Sequence, residues 1–252
     1  MPEIAVHYLP HFVAEADLAG SVVIVVDLLR ASTTICQALA AGAKCIVPSV
    51  EVDETFAKAA QYDRSEILLG GERGGERIDG FDLGNSPADY TAEEVFGRIV
   101  LFTTTNGTKA LAHARLAEHV LIGAAVNRQA VAGAVHSAER VDILCAGTGG
   151  KVTREDLLAA GAIASQLTAQ VKNCRLNEWA GAAGREWQEL LTTARALSRT
   201  PSEQFAIELR DTLGGKNLLA LGYNDDLKFS AQLDIYDVVP ELDRASGQIR
   251  LR

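Results

Sequence analysis

Three times along the chain an apolar run leads through a polar turn into an alanine-rich helical pattern. SVVIVVDLLRASTTICQALAAGA (21–43), RIVLFTTTNGTKALAHA (98–114) and VDILCAGTGGKVTREDLLAAGAIASQL (141–167) share this plan. The apolar runs are continuous rather than alternating, which suits strands covered on both faces. Shorter strand candidates, KCIVP (44–48), EILLG (66–70) and HVLIG (119–123), lie between them. Helical spacing fills 51–62, 88–96, 127–138 and much of 177–213. Alternation of strand and helix predicts a three-layer α/β/α fold on a mostly parallel or mixed sheet. No linker or composition shift divides the chain. It reads as a single α/β domain over 1–252, with room for two intimate lobes.

One segment breaks the pattern. GGERGGERIDGFDLGNSP (70–87) holds six glycines and six charges in eighteen positions. Glycine at this density opposes a helix, and the segment reads as a loop following the strand EILLG. Ile78, Phe81 and Leu83 give it apolar anchors, which argues against disorder. Ser86-Pro87 places serine at an N-cap and proline at the first position of the next helix. Thr153 and Asp156 have capping-box spacing.

Composition narrows the function. Net charge is −9, so broad attraction to nucleic acid or an anionic membrane is not expected. No apolar run approaches the roughly 20 residues that span a bilayer, and MPEIAVHYLPHF lacks a basic-then-apolar leader, so a cytoplasmic protein is expected. Cys36, Cys45, Cys145 and Cys174 form no CxxC pair, and reduced, largely buried thiols are expected. Alanine-rich helical surface is compatible with a homodimer.

Chemistry-bearing residues collect at the strand-to-helix turns. Asp27 ends a strand, where open α/β sheets place ligands. Arg30, Ser32 and Thr33 follow it, offering a guanidinium, hydroxyls and helix N–H groups to an anion. The same residues also suit a helix cap with Arg30 paired to Asp27. In 70–87, Glu72 and Asp82 supply oxygens suited to a hard cation, Arg73 a fork for an anion, and Gly74 and Gly75 backbone N–H groups. Glu76 and Arg77 read as solvated or structural. Thr105, Asn106, Gly107 and Thr108 form another anion-binding corner with Lys109 nearby, or a threonine-rich cap. In CAGTGGKVTREDL, Gly147 and Thr148 sit on a glycine turn into a helix. This stretch misses the P-loop pattern, with Cys145 and Val152 in two required places, and misses the cysteine-phosphatase arginine, replaced by Lys151. Asp234 and Asp237 in the tail have spacing that reaches either the site or the surface. Donors at some strand ends and carboxylates at others match metal-assisted phosphoryl transfer, with Asp27, Arg30 and Arg73 as the reacting set and Asp27, Glu72 and Asp82 as the metal set. Leu29 occupies the place where a haloacid-dehalogenase-type aspartyl nucleophile needs its second acid.

Taken in order, VVDLLRASTT, GGERGGERIDGFDLGNSP, TTTNGT, CAGTGGKVTREDLLAAG and LDIYDVVP resemble the 2-phosphosulfolactate phosphatase (ComB-like) family over nearly the whole chain, least so over about 172–215. The resemblance implies a three-layer α/β fold and a Mg²⁺-dependent hydrolase. It would release phosphate from (R)-2-phospho-3-sulfolactate, a step toward coenzyme M. The implied partner is a small anionic phosphorylated substrate. Two other readings stay open: a phosphatase for another phosphorylated hydroxy acid, and a non-catalytic anion-binding protein of the same fold.

Overall fold

A computed structural model describes residues 1–171 and 173–252. The first half of the chain alternates strand and helix: β1 (Glu3–His7), β2 (Val22–Val26), α1 (Ala31–Ala40), β3 (Cys45–Pro48), α2 (Val52–Ala59), β4 (Ile67–Arg73), β5 (Glu76–Arg77), α3 (Ala92–Val95), β6 (Ile99–Thr103), α4 (Gly107–His113) and β7 (His119–Ile122). There follow α5 (Arg128–Val135), β8 (Arg140–Cys145), α6 (Arg154–Gln170), β9 (Arg175–Leu176), α7 (Glu178–Ala196), α8 (Pro201–Leu209), α9 (Leu213–Ala220), α10 (Asn224–Ser230), β10 (Pro240–Asp243) and β11 (Gln248–Leu251). No helix among the described residues is long and apolar enough to cross a membrane.

The strands form one mixed sheet in the order β5-β4-β6-β3-β11-β10-β7-β2-β8-β1-β9. Two parallel runs, β4-β6-β3 and β7-β2-β8-β1-β9, flank the antiparallel β10–β11 hairpin. Each run meets the hairpin through an antiparallel pair, Glu241 with Leu121 and Ile249 with Ile46. The expected three layers are present, and the continuous apolar runs explain them. Along β6, Val100 and Phe102 enter the larger core while Ile99 and Leu101 enter a smaller one; β4 divides Leu68 from Ile67 and Leu69 in the same way. Both faces of these strands are therefore covered, as period-two packing requires.

Across the hairpin the two runs point in opposite directions. A flat sheet would send their carboxyl ends to opposite edges. The turns after β2, β6 and β8 nevertheless line one pocket, so the sheet is not flat.

The glycine-rich segment is more ordered than its composition predicts. The strand expected over 66–70 runs on to Arg73, and β5 folds back on it, pairing Glu72 with Arg77 and Arg73 with Glu76. Gly74 and Gly75 turn this hairpin with φ of 63° and 90°. Positive φ at both central residues is what a type I′ hairpin turn demands, and glycine meets it without strain. Phe81 and Leu83 are buried, as their apolar character indicated. Ser86 precedes only a short 3-10 turn, Pro87–Asp89, and makes no side-chain cap. Beyond α8, α9 and α10 form two helices outside the expected helical range.

Candidate active site

A pocket of about 230 Å³ opens where turns after β2, β6 and β8 meet the β4–β5 hairpin and α9. Asp27, Arg30, Glu72, Gly74, Gly75, Thr105, Asn106 and Thr148 line it, so it gathers eight of the residues singled out in the sequence.

Asp27 sits just past β2, 8% exposed. Its main-chain N–H donates to Ser32 Oγ (2.9 Å), and its carbonyl accepts from Ser32 N–H (2.9 Å), closing the turn into α1. Burial, and after it the Asp156 and Glu72 carboxylates, hold Asp27 well above the usual carboxylate range, against the Ala31 N–H. Glu72 is anchored more firmly. Its Oε1 accepts from Thr105 N–H at 2.7 Å, and its Oε2 accepts from Gly75 N–H at 2.6 Å and Thr105 Oγ1 at 3.2 Å. Those bonds tie the hairpin to the turn before α4. Two buried carboxylates thus share the pocket without a lysine or arginine paired to either among the described residues.

Arg30 is the one lysine or arginine lining the pocket among the described residues. Nη1 donates to Asp226 Oδ2 at 2.8 Å and Nη2 to the Gly75 carbonyl at 2.7 Å. The sequence alternative of an Arg30–Asp27 pair is not what forms. Asn106 Oδ1 accepts from Gly149 N–H at 3.1 Å and links the turns after β6 and β8. Lys109 and Lys151 are exposed and do not line the pocket.

Other expected residues lie elsewhere. Asp82 does not line the pocket: its carboxylate pairs with Arg64 and accepts from Leu69 N–H (2.7 Å), pinning the segment's return to β4. Arg73 also points away, donating to the Glu72 carbonyl (2.9 Å), the Val50 carbonyl (2.8 Å) and Thr103 Oγ1 (2.9 Å). Ser32, Thr33 and Thr108 are buried turn-formers whose hydroxyls donate to the carbonyls of Val25, Leu28 and Thr104. Gly147 is buried behind the pocket, donating to Asp156 Oδ2 at 2.9 Å. Gly107 lies under Asp27 rather than on the wall. Asp234 is clamped by Arg128, remote from the site. Cys145 is buried with its thiol pushed well up by burial, which fits no thiolate role.

Four residues escaped the sequence reading: Asp226, Asn85, Glu155 and Asp156 in the roles they take. Asn85 lines the pocket with a buried Oδ1 that meets no partner among the described residues. Asp156, expected at capping-box spacing from Thr153, forms no such cap: Thr153 makes no side-chain cap bond and instead donates its hydroxyl to Asp156 Oδ2 at 3.3 Å. Its Oδ1 accepts from Leu28 N–H at 2.9 Å and its Oδ2 from Gly147 N–H at 2.9 Å, joining the turns after β2 and β8. Glu155 Oε1 accepts from Gly214 N–H at 2.9 Å at the start of α9, while Oε2 is buried without a partner among the described residues. Sequence spacing identifies these acids as first-turn residues; only the fold aims them inward.

Burial and the Glu155 carboxylate push Asp156 up to about 7, opposed by the Leu28 and Gly147 N–H groups and Thr153. An acid with a raised native pKa binds more protons folded than unfolded, so stability falls as pH rises from the unfolded value, near 3.9, through about 7. Free of divalent cations, the protein should melt higher at pH 6 than at pH 8. In Asp156→Asn that difference should shrink, with Asp27 and Glu155 supplying the remainder. Equal differences in parent and variant would remove Asp156 as the source.

The family model described as 2-phosphosulpholactate phosphatase matches residues 8–245. Similar curated proteins include one from Symbiobacterium thermophilum, 40% identical over 236 residues that make up 93% of this chain and 96% of the relative. Another, from Cyanothece sp., is 38% identical over 94% of this chain and 95% of its own. A third, from Caldanaerobacter subterraneus subsp. tengcongensis, is 37% identical over 90% of each. All three bear the name "Probable 2-phosphosulfolactate phosphatase".

Proposed function

The chain belongs to the 2-phosphosulpholactate phosphatase family, a family of phosphoric monoester hydrolases, and from that premise we propose that it hydrolyses (R)-2-phospho-3-sulfolactate to 3-sulfolactate and phosphate with Mg²⁺ bound beside Asp27. By the family resemblance, 3-sulfolactate would lead toward coenzyme M.

The observation that carries the site assignment is the uncompensated pair of buried carboxylates, Asp27 and Glu72, in the pocket that also holds Arg30. Phosphate, carboxylate and sulfonate on one small substrate would be repelled by these acids, and Arg30 is already paired with Asp226. A hard divalent cation corrects that imbalance. Among the described residues no three acidic, histidine or cysteine groups gather as a metal cage. Mg²⁺ suits this donor set, because it takes one or two carboxylates and keeps waters and substrate oxygens for the rest. Asp27 would be the principal ligand, since three hydrogen bonds already engage the Glu72 oxygens. Asp82 has no part in it. When bound, the cation supplies neutralisation of phosphoryl charge and a more acidic water.

The chain's own residues complete the reading. Asp27, which lines the pocket, would take a proton from the attacking water. Arg30 presents its remaining N–H groups to phosphoryl oxygens as charge grows there. Glu72 holds the hairpin against Thr105 and so fixes the wall opposite.

Phosphate release from a panel of phosphorylated hydroxy acids tests this. The sulfonated ester should give the highest kcat/KM, with activity lost in EDTA and restored by Mg²⁺. Preference for an unsulfonated ester would transfer the function to another hydroxy acid. Phosphate or Mg²⁺ binding without turnover of any ester would defeat the catalytic reading.

A further inference from the structure

The Arg30 side chain is only 2% exposed, and three groups distant in sequence hold its guanidinium. Asp226, on α10, receives Nη1 at 2.8 Å. The Gly75 carbonyl, at the hairpin turn, receives Nη2 at 2.7 Å. The Tyr223 ring lies beneath, its centroid 4.3 Å from Cζ. Asp226 is itself 4% exposed, and its second oxygen accepts from Ser86 Oγ at 2.7 Å. Both carboxylate oxygens are therefore committed, one to the arginine and one to the serine that closes the glycine-rich segment. Of the five N–H groups on Arg30, these bonds take two. Arg30 is itself among the residues that line the pocket.

We propose that Asp226 is a positioning residue for the phosphatase reaction: it does not line the pocket, but it sets the orientation in which Arg30 offers its free N–H groups to the anionic substrate. The inference rests on the phosphatase reading for the identity of that anion. Sequence distance concealed it, since 196 positions separate the two partners.

Charge alone predicts the opposite effect of orientation. Asp226 subtracts positive potential from the pocket. If that were all it did, Asp226→Asn would tighten anion binding by unmasking Arg30. If it positions the guanidinium, the same variant frees the side chain to adopt other rotamers and weakens binding, although the pocket has become more positive. A purely structural acid would lower the melting temperature and leave anion affinity unmoved. Bidentate and multiply held arginines lose less entropy per bond to a ligand, which is why orientation outweighs potential here.

The test compares parent, Asp226→Asn and Ser86→Ala in calorimetric titration with inorganic phosphate, beside kcat and KM on the phosphorylated substrate and a melting curve for each. Asp226→Asn should raise the phosphate Kd and the KM by about 10-fold, the scale of one charged hydrogen bond. Ser86→Ala keeps the ion pair and releases its far oxygen, so it should shift both in the same direction by about threefold. Unchanged or tighter phosphate binding in a folded Asp226→Asn overturns the proposal. Should that variant fail to fold, Ser86→Ala decides: weaker binding supports the positioning role and unchanged binding overturns it. A parent protein that binds phosphate but hydrolyses no ester ends the phosphatase reading, while the phosphate affinities still decide the role of Asp226.

Discussion

Asp27→Asn yields a protein that melts higher than its parent in EDTA and has lost nearly all phosphatase activity. The two effects come from one cause. Asp27 is buried beside the Asp156 and Glu72 carboxylates, and those three influences, burial first, hold its pKa well above the ordinary range. Each disfavours the ionised form, so the folded protein carries a cost that an amide of the same shape does not. The amide keeps an oxygen that can accept from the Ala31 N–H, so the turn into α1 survives. Turnover should fall by roughly 100- to 10,000-fold, the range for a positioned acid or base, because the amide neither takes a proton nor offers a carboxylate to a cation. Functional sites commonly store such strain. Phosphate release and differential scanning of the same preparation read both sides. Parent-like turnover would remove Asp27 from the reaction. A lower melting temperature would show that its negative charge is compensated in the fold after all.

The fold was legible because its signal is local. Three apolar runs ending in polar turns specify β2–α1, β6–α4 and β8–α6, and each turn reaches the pocket. Asp27, Glu72, Thr105, Asn106 and Thr148 could be picked out for the same reason: each sits at or just past a strand's carboxyl end, where backbone direction alone aims it at the site. The misplaced residues show the limit of that logic. Asp82 lies in the same charged segment as Glu72, but the hairpin turned by Gly74 and Gly75 separates them, and Arg64, eighteen residues upstream, claims its carboxylate. Arg73 neighbours Glu72 in a strand, so alternation sends the two side chains to opposite faces. Composition shows six charges in the segment; register decides which of them reach the pocket.

Long-range partners were invisible for a different reason. Asp226 reaches Arg30 and Ser86 only because α9 and α10 fold back over the turn after β2. Asp156 bridges Leu28 and Gly147 only because β2 and β8 are neighbours in the sheet. Neither acid stands in an unusual local context, and both look like first-turn helix acids suited to the dipole. Their function is to hold parts of the pocket wall in register, and that is a property of topology rather than of spacing. The groups that line the pocket are thus readable one turn at a time, while the residues that fix their geometry are readable only from the assembled sheet.

Gly107→Ala should cost turnover roughly 10- to 100-fold while leaving the protein folded, the penalty for displacing a reacting group by a fraction of an ångström to an ångström. On propensity alone the change is favourable, since alanine in a helix is worth about 1 kcal/mol over glycine. Backbone conformation does not forbid it, because Gly107 opens α4 outside the left-handed region. Space forbids it: a Cβ here would lie 2.7 Å from Ala31 Cβ and 2.8 Å from Asp27 Oδ2. Ala31 opens α1 and Asp27 lies in the turn before it, so relief of the clash moves the carboxylate proposed to act in the reaction. Gly133→Ala is the control. It makes the same exchange inside α5, where an added Cβ meets nothing within 4 Å, and it should raise the melting temperature and leave kcat/KM unchanged. If Gly107→Ala keeps parental kcat/KM, the Asp27 carboxylate is free to shift without consequence, and the close seat of α4 against α1 does not set its position. If both variants lose activity alike, the loss belongs to glycine in general and not to the contact with Asp27.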